Sequence, residues 1–171
     1  KLLERIVEPG KGIDAPAGMY QSSYYFSWYL VRAFEQAGLG NRYHDLTQTW
    51  RDLLKLNYTT WPEERGHTRS DTHAWSAHPT ADLLGIVAGI QPAAPGYAKV
   101  RVKPALGHLT SLDAVAATPR GPVRVQYKLA GNSLTATVEC PPRLSGHFEW
   151  MGKSYSLRPG INRFSLAANG D

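Results

Sequence analysis

The sequence predicts an α+β fold, helices first and an antiparallel β-sandwich after them, on three observations. Apolar residues recur at three-and-four spacing before about residue 90, and they alternate with polar residues beyond Gly96. Between the two regimes the segment QPAAPG, ending at Gly96, punctuates the chain with turn-forming residues. The domains are accordingly drawn as 1–92, helical, and 93–171, a β-sandwich.

The first helix is expected from Ser22 to Ala37, a stretch free of Gly and Pro that has Ser at its start and Gly38 where a helix end favours a left-handed residue. Tyr24, Tyr25, Phe26, Trp28, Tyr29, Leu30, Val31 and Phe34 cover too much of its circumference for a one-sided surface helix. A second helix, Asn41 to Leu56, sets Tyr43, Leu46, Trp50, Leu53 and Leu54 on one side and Arg42, Asp45, Arg51, Asp52 and Lys55 on the other. Pro79 suits the first turn of a third, Pro79 to Ala88, which Gly89 can end.

The strand region reads YAKVRVKP, PVRVQYKL, SLTATVEC, HFEWM and INRFSL, with turn chemistry at Ala130-Gly131-Asn132, Gly152-Lys153 and Pro159-Gly160. A strand alternates its faces, so Val100, Val102, Val123, Val125, Tyr127, Leu134, Ala136 and Val138 are expected inward, with Lys99, Arg101 and Lys103 outward.

Bulk properties narrow the function. Hydrophobic content of 42% with 19% charged residues is ordinary for a globular protein, and no apolar run approaches the roughly 20 residues of a membrane span. A net charge of +5 invites a nucleic-acid reading, but the basic residues alternate along strands as a solvent face does, and neither nucleic acid nor membrane is expected as a partner. The single cysteine, Cys140, leaves no internal disulfide. A chain that opens KLLERIVEPG reads as a piece of something longer, and helices this aromatic need further protein to cover them: more helices, the sandwich, or a second copy through self-association.

Chemistry concentrates between Thr59 and His78, TTWPEERGHTRSDTHAWSAH, with three of the six histidines, the adjacent carboxylates Glu63 and Glu64, Asp71, two arginines and two tryptophans. Trp61 and Trp75 offer flat apolar faces to a sugar's C–H surface, while acids and His exchange hydrogen bonds with hydroxyls. Against this stand blander readings. Glu63 and Glu64 with Arg65 and Arg69 also fit a solvated charge cluster, His73 or His78 a core or capping role, and Trp61 or Trp75 plain packing. His67, Asp71, His73 and His78 are metal candidates without a recognised ligand spacing.

The ordered series TTWPEE, TRSDTHAWSAHP, GIVAGIQPAAPGY, VRVKPALGHL and ATPRGPVRVQY resembles glycoside hydrolase family 78, the bacterial α-L-rhamnosidases, over about Gly18 to Leu166. The resemblance implies the closing helices of a six-hairpin (α/α)6 barrel followed by the C-terminal β-sandwich. It also implies a glycosidase that hydrolyses terminal α-L-rhamnose with inversion, acts on glycosides or polysaccharides and uses no cofactor. The family's Thr-x-x-Glu segment falls on Thr60-Trp61-Pro62-Glu63, making Glu63 the general base and His73 a sugar contact; Pro62 and the doubled acid depart from the pattern and keep Glu64 as a competitor. Inversion needs a second carboxyl about 6.5–9.5 Å from the base. The resemblance places that general acid upstream, so the missing N-terminal part of the barrel is an expected partner and the isolated chain is expected to be inactive. The competing function is a non-catalytic carbohydrate-binding or structural β-sandwich.

Overall fold

A computed structural model describes residues 7–8, 12–13, 20–65 and 69–168. It divides into two compact units, one ending at Asp82 and one beginning at Leu83. The strand Ile90–Pro92, which precedes the 92/93 division drawn from the sequence, thus sits in the β-rich unit.

In the helical unit, backbone pairing joins the two-residue strands β1 (Val7–Glu8) and β2 (Gly12–Ile13). Helix α1 is Tyr24–Gln36, capped by Ser23, whose Oγ accepts from the Phe26 amide at 3.1 Å, and followed by Gly38 at φ +74°. Its buried side is Tyr24, Ser27, Val31 and Phe34, whereas Tyr25, Phe26, Trp28 and Tyr29 are 40 to 60% exposed. The second predicted helix is broken into a 3₁₀ turn, Gly40–Arg42, and two helices, α2 (Tyr43–Leu46) and α3 (Gln48–Lys55). The break has a local cause: the Thr47 hydroxyl donates to the His44 carbonyl at 2.9 Å, a side-chain bond that competes with the helical ladder. Tyr43, Leu46, Trp50 and Leu53 are buried as their spacing predicts, but Leu54 lies on the exposed side. The third helix is regular only as α4 (Pro79–Asp82) and widens to a π-helical turn over Leu83–Val87 before Gly89.

The β-rich unit is two four-stranded sheets around one core. One sheet is antiparallel throughout, in the order β10 (Gly160–Ala167), β7 (Ser133–Cys140), β6 (Val123–Ala130), β5 (Ser111–Ala116). The other runs β3 (Ile90–Pro92), β4 (Lys99–Val102), β8 (Ser145–Trp150), β9 (Lys153–Leu157), and here β4 pairs parallel with β8, so the sandwich is not purely antiparallel. A connection that returns through the opposite sheet brings β8 in beside β4 in the same direction, which no hairpin can do. Val100 and Val102, with Phe148 and Leu157, face Val123, Val125, Tyr127, Leu134, Ala136 and Val138 in a single buried cluster. Lys99 and Lys103 are exposed and Arg101 half-buried, so all three stay out of that cluster.

Turn chemistry fits with one shift of register. Gly131 and Asn132 join β6 to β7 with positive φ at Gly131 alone, the signs of a type II′ turn. The second hairpin loop is Met151-Gly152, not Gly152-Lys153, with both residues at positive φ as type I′ requires. Pro159 leads from β9 into β10, which belongs to the other sheet, and the Asn162 carboxamide holds that crossing by accepting from the Arg158 amide and donating to the Arg158 and Val138 carbonyls.

Candidate functional site

The polar segment after α3 folds back on itself. Asn57 at φ +62° turns the chain, and two backbone bonds then tie its outgoing arm to its return: Glu63 N–H to the Ser70 carbonyl and His73 N–H to the Trp61 carbonyl, each 2.8 Å. The Thr60 hydroxyl adds a bond to the Asp71 carbonyl at 2.5 Å. Ser76, fully buried, donates from Oγ to the Pro62 carbonyl at 2.7 Å, and its own carbonyl accepts from the Trp50 indole at 2.8 Å. The peptide just before Glu63 is therefore pinned to the helical core. Trp61 is used the same way, its ring packed against Tyr24, Trp50 and Leu53.

This pinning turns the two adjacent carboxylates in opposite directions. Glu63 is 5% exposed, whereas Glu64 is exposed. Arg69 holds Glu63 in a fork, Nε to Oε2 at 2.9 Å and Nη2 to Oε1 at 2.5 Å, the bidentate geometry that guanidinium and carboxylate share. Those bonds keep the Glu63 carboxyl below the usual carboxylate range; burial opposes them, and the charge of Arg69 and the nearby His73 add to them. His73 Nε2 lies 3.9 Å from Glu63 Oε1, a charge contact rather than a hydrogen bond.

An aromatic row continues from that imidazole. The His73 and Trp75 rings are 4.1 Å apart by centroid, and Tyr25 of α1 lies 5.3 Å beyond Trp75. Trp75 and Tyr25 both keep more than a third of their surface exposed, so the row has an open face. An ionised carboxylate, an imidazole and two aromatic faces in sequence can take a polyhydroxyl ligand by hydrogen bonds at one end and C–H stacking at the other.

His78 lies elsewhere. Its Nδ1 is 2.7 Å from the buried Asp82 carboxylate, its Nε2 is 3.3 Å from the Tyr24 carbonyl, and Trp50 packs edge-on to the ring at 5.1 Å. Arg32 of α1 also binds Asp82, so this network joins α1 to α4. Both His78 nitrogens are thereby engaged. Among the described residues no three His, Cys, Asp or Glu side chains are placed to hold a metal ion, and His67 lies outside those residues. Also among the described residues, no helix is long and apolar enough to cross a membrane.

Three residues of this arrangement escape a reading of spacing. Arg69 reads as one member of a charge cluster rather than as the Glu63 partner, because only the fold-back brings residues six apart into a fork. Tyr25 reads as helix packing, and Ser76 as an unremarked residue between Trp75 and His78. A serine next to Trp75 and two residues before His78 is the trace the sequence carries of a buried loop anchor.

Comparison with known proteins bears on both units. Residues 89–147 match the family described as bacterial alpha-L-rhamnosidase C-terminal domain. No curated protein sequence matches the chain. Among solved structures, an α-L-rhamnosidase from Dictyoglumus thermophilum is 15% identical with a TM-score of 0.73, covering 84% of this chain and 21% of its own. A family 78 rhamnosidase from Bacillus sp. GL1 is 24% identical with a TM-score of 0.71, covering 78% of this chain and 16% of its own. The native enzyme from Aspergillus terreus is 18% identical with a TM-score of 0.70, covering 80% of this chain and 18% of its own. The chain thus spans about a fifth of the length of these relatives, and the likeness in fold extends beyond the β-rich unit into the helices.

Proposed function

We propose that this chain, whose residues 89–147 match the bacterial alpha-L-rhamnosidase C-terminal domain family, serves a glycoside hydrolase that removes terminal α-L-rhamnose from glycosides or polysaccharides with inversion. In this reading the helices α1 to α4 belong to an (α/α)6 barrel and residues 93–171 to the sandwich that follows it. Glu63 is the general base, His73 contacts the sugar, and Trp75 and Trp61 shape the pocket, with Trp61 acting from the core side. The observation that carries the reading is the placement of Glu63: it is turned inward and held ionised beside His73, while Glu64 faces out. A base that takes a proton from water must be ionised when substrate binds, and a hydrogen-bonded, inward carboxylate meets that need. The general acid is contributed from outside this chain, and the isolated chain is inactive.

Replacing Glu63 and Glu64 separately by Gln in the full-length enzyme tests the assignment with an aryl rhamnoside. Glu63→Gln should lower kcat by about 10²–10⁴-fold and Glu64→Gln should leave it near the parent value. The reverse pattern would hand the role to Glu64. One observation favours the non-catalytic reading: the Arg69 fork satisfies Glu63 from a side chain that is itself 77% exposed, as in a surface charge cluster. Arg69→Gln separates the two. If Glu63 is the base, losing the fork raises its proton affinity and moves the acid limb of the pH–rate profile upward; a bystander pair leaves the profile in place.

A further inference from the structure

The chain's net positive charge lies in one unit. Residues from Leu83 onward hold ten Lys and Arg against four Asp and Glu, a net +6, while residues up to Asp82 hold nine against ten. Strand order then gathers much of that excess at one end of the sandwich. The registers Ala116↔Val123, Arg124↔Glu139, Gly160↔Cys140 and Lys99↔Ser145 place the connections 93–98, 117–122, 141–144 and 158–159 together at that end. Those connections and the first residue of β4 carry Arg120, Arg143, Arg158 and Lys99, all exposed, and contain no Asp or Glu.

The connections are built rather than loose. A Cβ on Gly121 would stand 2.9 Å from the Pro141 side chain, so the Arg120 loop rests on the Arg143 turn. Asn162 anchors the Arg158 backbone on both sides. Leu144 N–H closes a turn on the Pro141 carbonyl at 3.1 Å, with Pro142 second and Arg143 third at φ +68°. That is the type II pattern, in which the third position favours Gly or Asn. An arginine holds it at a conformational cost and returns no ion pair: among the described residues none of these four cations has a carboxylate within ion-pair distance.

We propose that this end of the sandwich is a docking surface for a carboxylated polysaccharide. Four unpaired cations, three of them guanidinium forks suited to carboxylates, supply the charge complementarity. Nucleic acid is the less suitable polyanion. The exposed large apolar side chains among the described residues of this unit are Leu83, Val115, Met151 and Ile161, none of them aromatic, and the aromatic of these connections, Tyr97, is half-buried against the core, so bases find no fully exposed stacking platform. The choice of a polysaccharide rests on the carbohydrate reading of the Glu63 site; the anion-binding surface itself does not.

Calorimetric titration of the chain with polygalacturonate, its fully methyl-esterified form and single-stranded DNA tests this. Binding should be confined to the charged polysaccharide and weaken with added salt. The combined variant Arg120→Gln, Arg143→Gly, Arg158→Gln should lose about tenfold or more in affinity while remaining folded, since Gly suits the Arg143 conformation. Removing the same charge elsewhere, with Lys128→Gln, Lys153→Gln and Arg163→Gln, should cost less than about threefold. Equal losses in the two variants, equal binding of the neutral polymer, tighter binding of DNA, or no binding to polygalacturonate would each overturn the proposal. Glu63→Gln should leave the affinity unchanged, so failure of the catalytic assignment and failure of this surface are read separately.

Discussion

The two units solve the burial of apolar surface in different ways. In the β-rich unit a residue's parity decides its side, and the inward set from one sheet meets the inward set from the other, with Val100, Val125, Leu134 and Phe148 fully removed from solvent. In the helical unit α1 has apolar residues on all sides, and the described chain covers only one of them, leaving Phe26, Trp28 and Tyr29 open. Two complementary faces complete a sandwich within one chain. A helix that is apolar all round asks for neighbours on every side, and here part of that demand is unmet.

The largest expected effect lies in the unit that closes on itself. A Cβ at Gly146 would stand 1.8 Å from the Val100 carbonyl oxygen, within the parallel β4–β8 pair, where backbone cannot yield cheaply. Gly146→Ala should destabilise by more than about 4 kcal/mol in chemical denaturation or prevent folding; a cost below about 1 kcal/mol would mean that the close pairing does not hold. In the helical unit, Ser76→Ala removes one bond to a buried carbonyl and should cost about 1–3 kcal/mol, with loosening confined by hydrogen exchange to the Pro62–Glu63 segment.

Acid should distinguish the units further. The Glu63 carboxyl titrates below its unfolded-state value, so the folded state binds fewer protons; the contribution of the Arg69 fork is full above the ordinary carboxylate range and is lost as pH falls through the folded value. Protection of the Glu63 amide, which donates to the Ser70 carbonyl, should fall in that window, and Arg69→Gln should abolish the trend. The smallest effect is expected on the open face of α1: Trp28→Ser removes an exposed ring and a contact 5.4 Å from the Arg32 guanidinium, and should change stability by less than about 1 kcal/mol. A larger loss would show that the face is already covered.

The same contrast governs what could be read in advance. The strands with large inward residues, β4, β6 and β7, are plain in the alternation of Val, Tyr and Leu with Lys, Arg and Thr. The strand β5 is not, because its inward positions are Leu112, Ala114 and Ala116 and its outward ones include Val115, which flattens the alternation at a sheet edge. The strand β3 contains Pro92, an ordinary strand breaker tolerated at an edge. The π-helical turn at Leu83–Val87 and the break at Thr47 depend on backbone choices that apolar spacing does not record. At the site, Glu63, His73 and Trp75 stood out by residue type, whereas Arg69, Ser76 and Tyr25 join them only through the fold-back and the position of α1.

The parallel pairing of β4 with β8 also orders events in time. Lys99 and Ser145, its first partners, are 46 positions apart in the chain, whereas β6 and β7 are joined by two residues and can zip as soon as both are made. Contacts between distant positions must first meet the entropy of closing a long loop, which slows collapse relative to a local hairpin. During synthesis β4 therefore emerges well before this strand partner, and one backbone edge of it stays open until β8 arrives. That edge, a row of backbone groups without a ladder partner, is the part of the sandwich most in need of protection while the protein is being made.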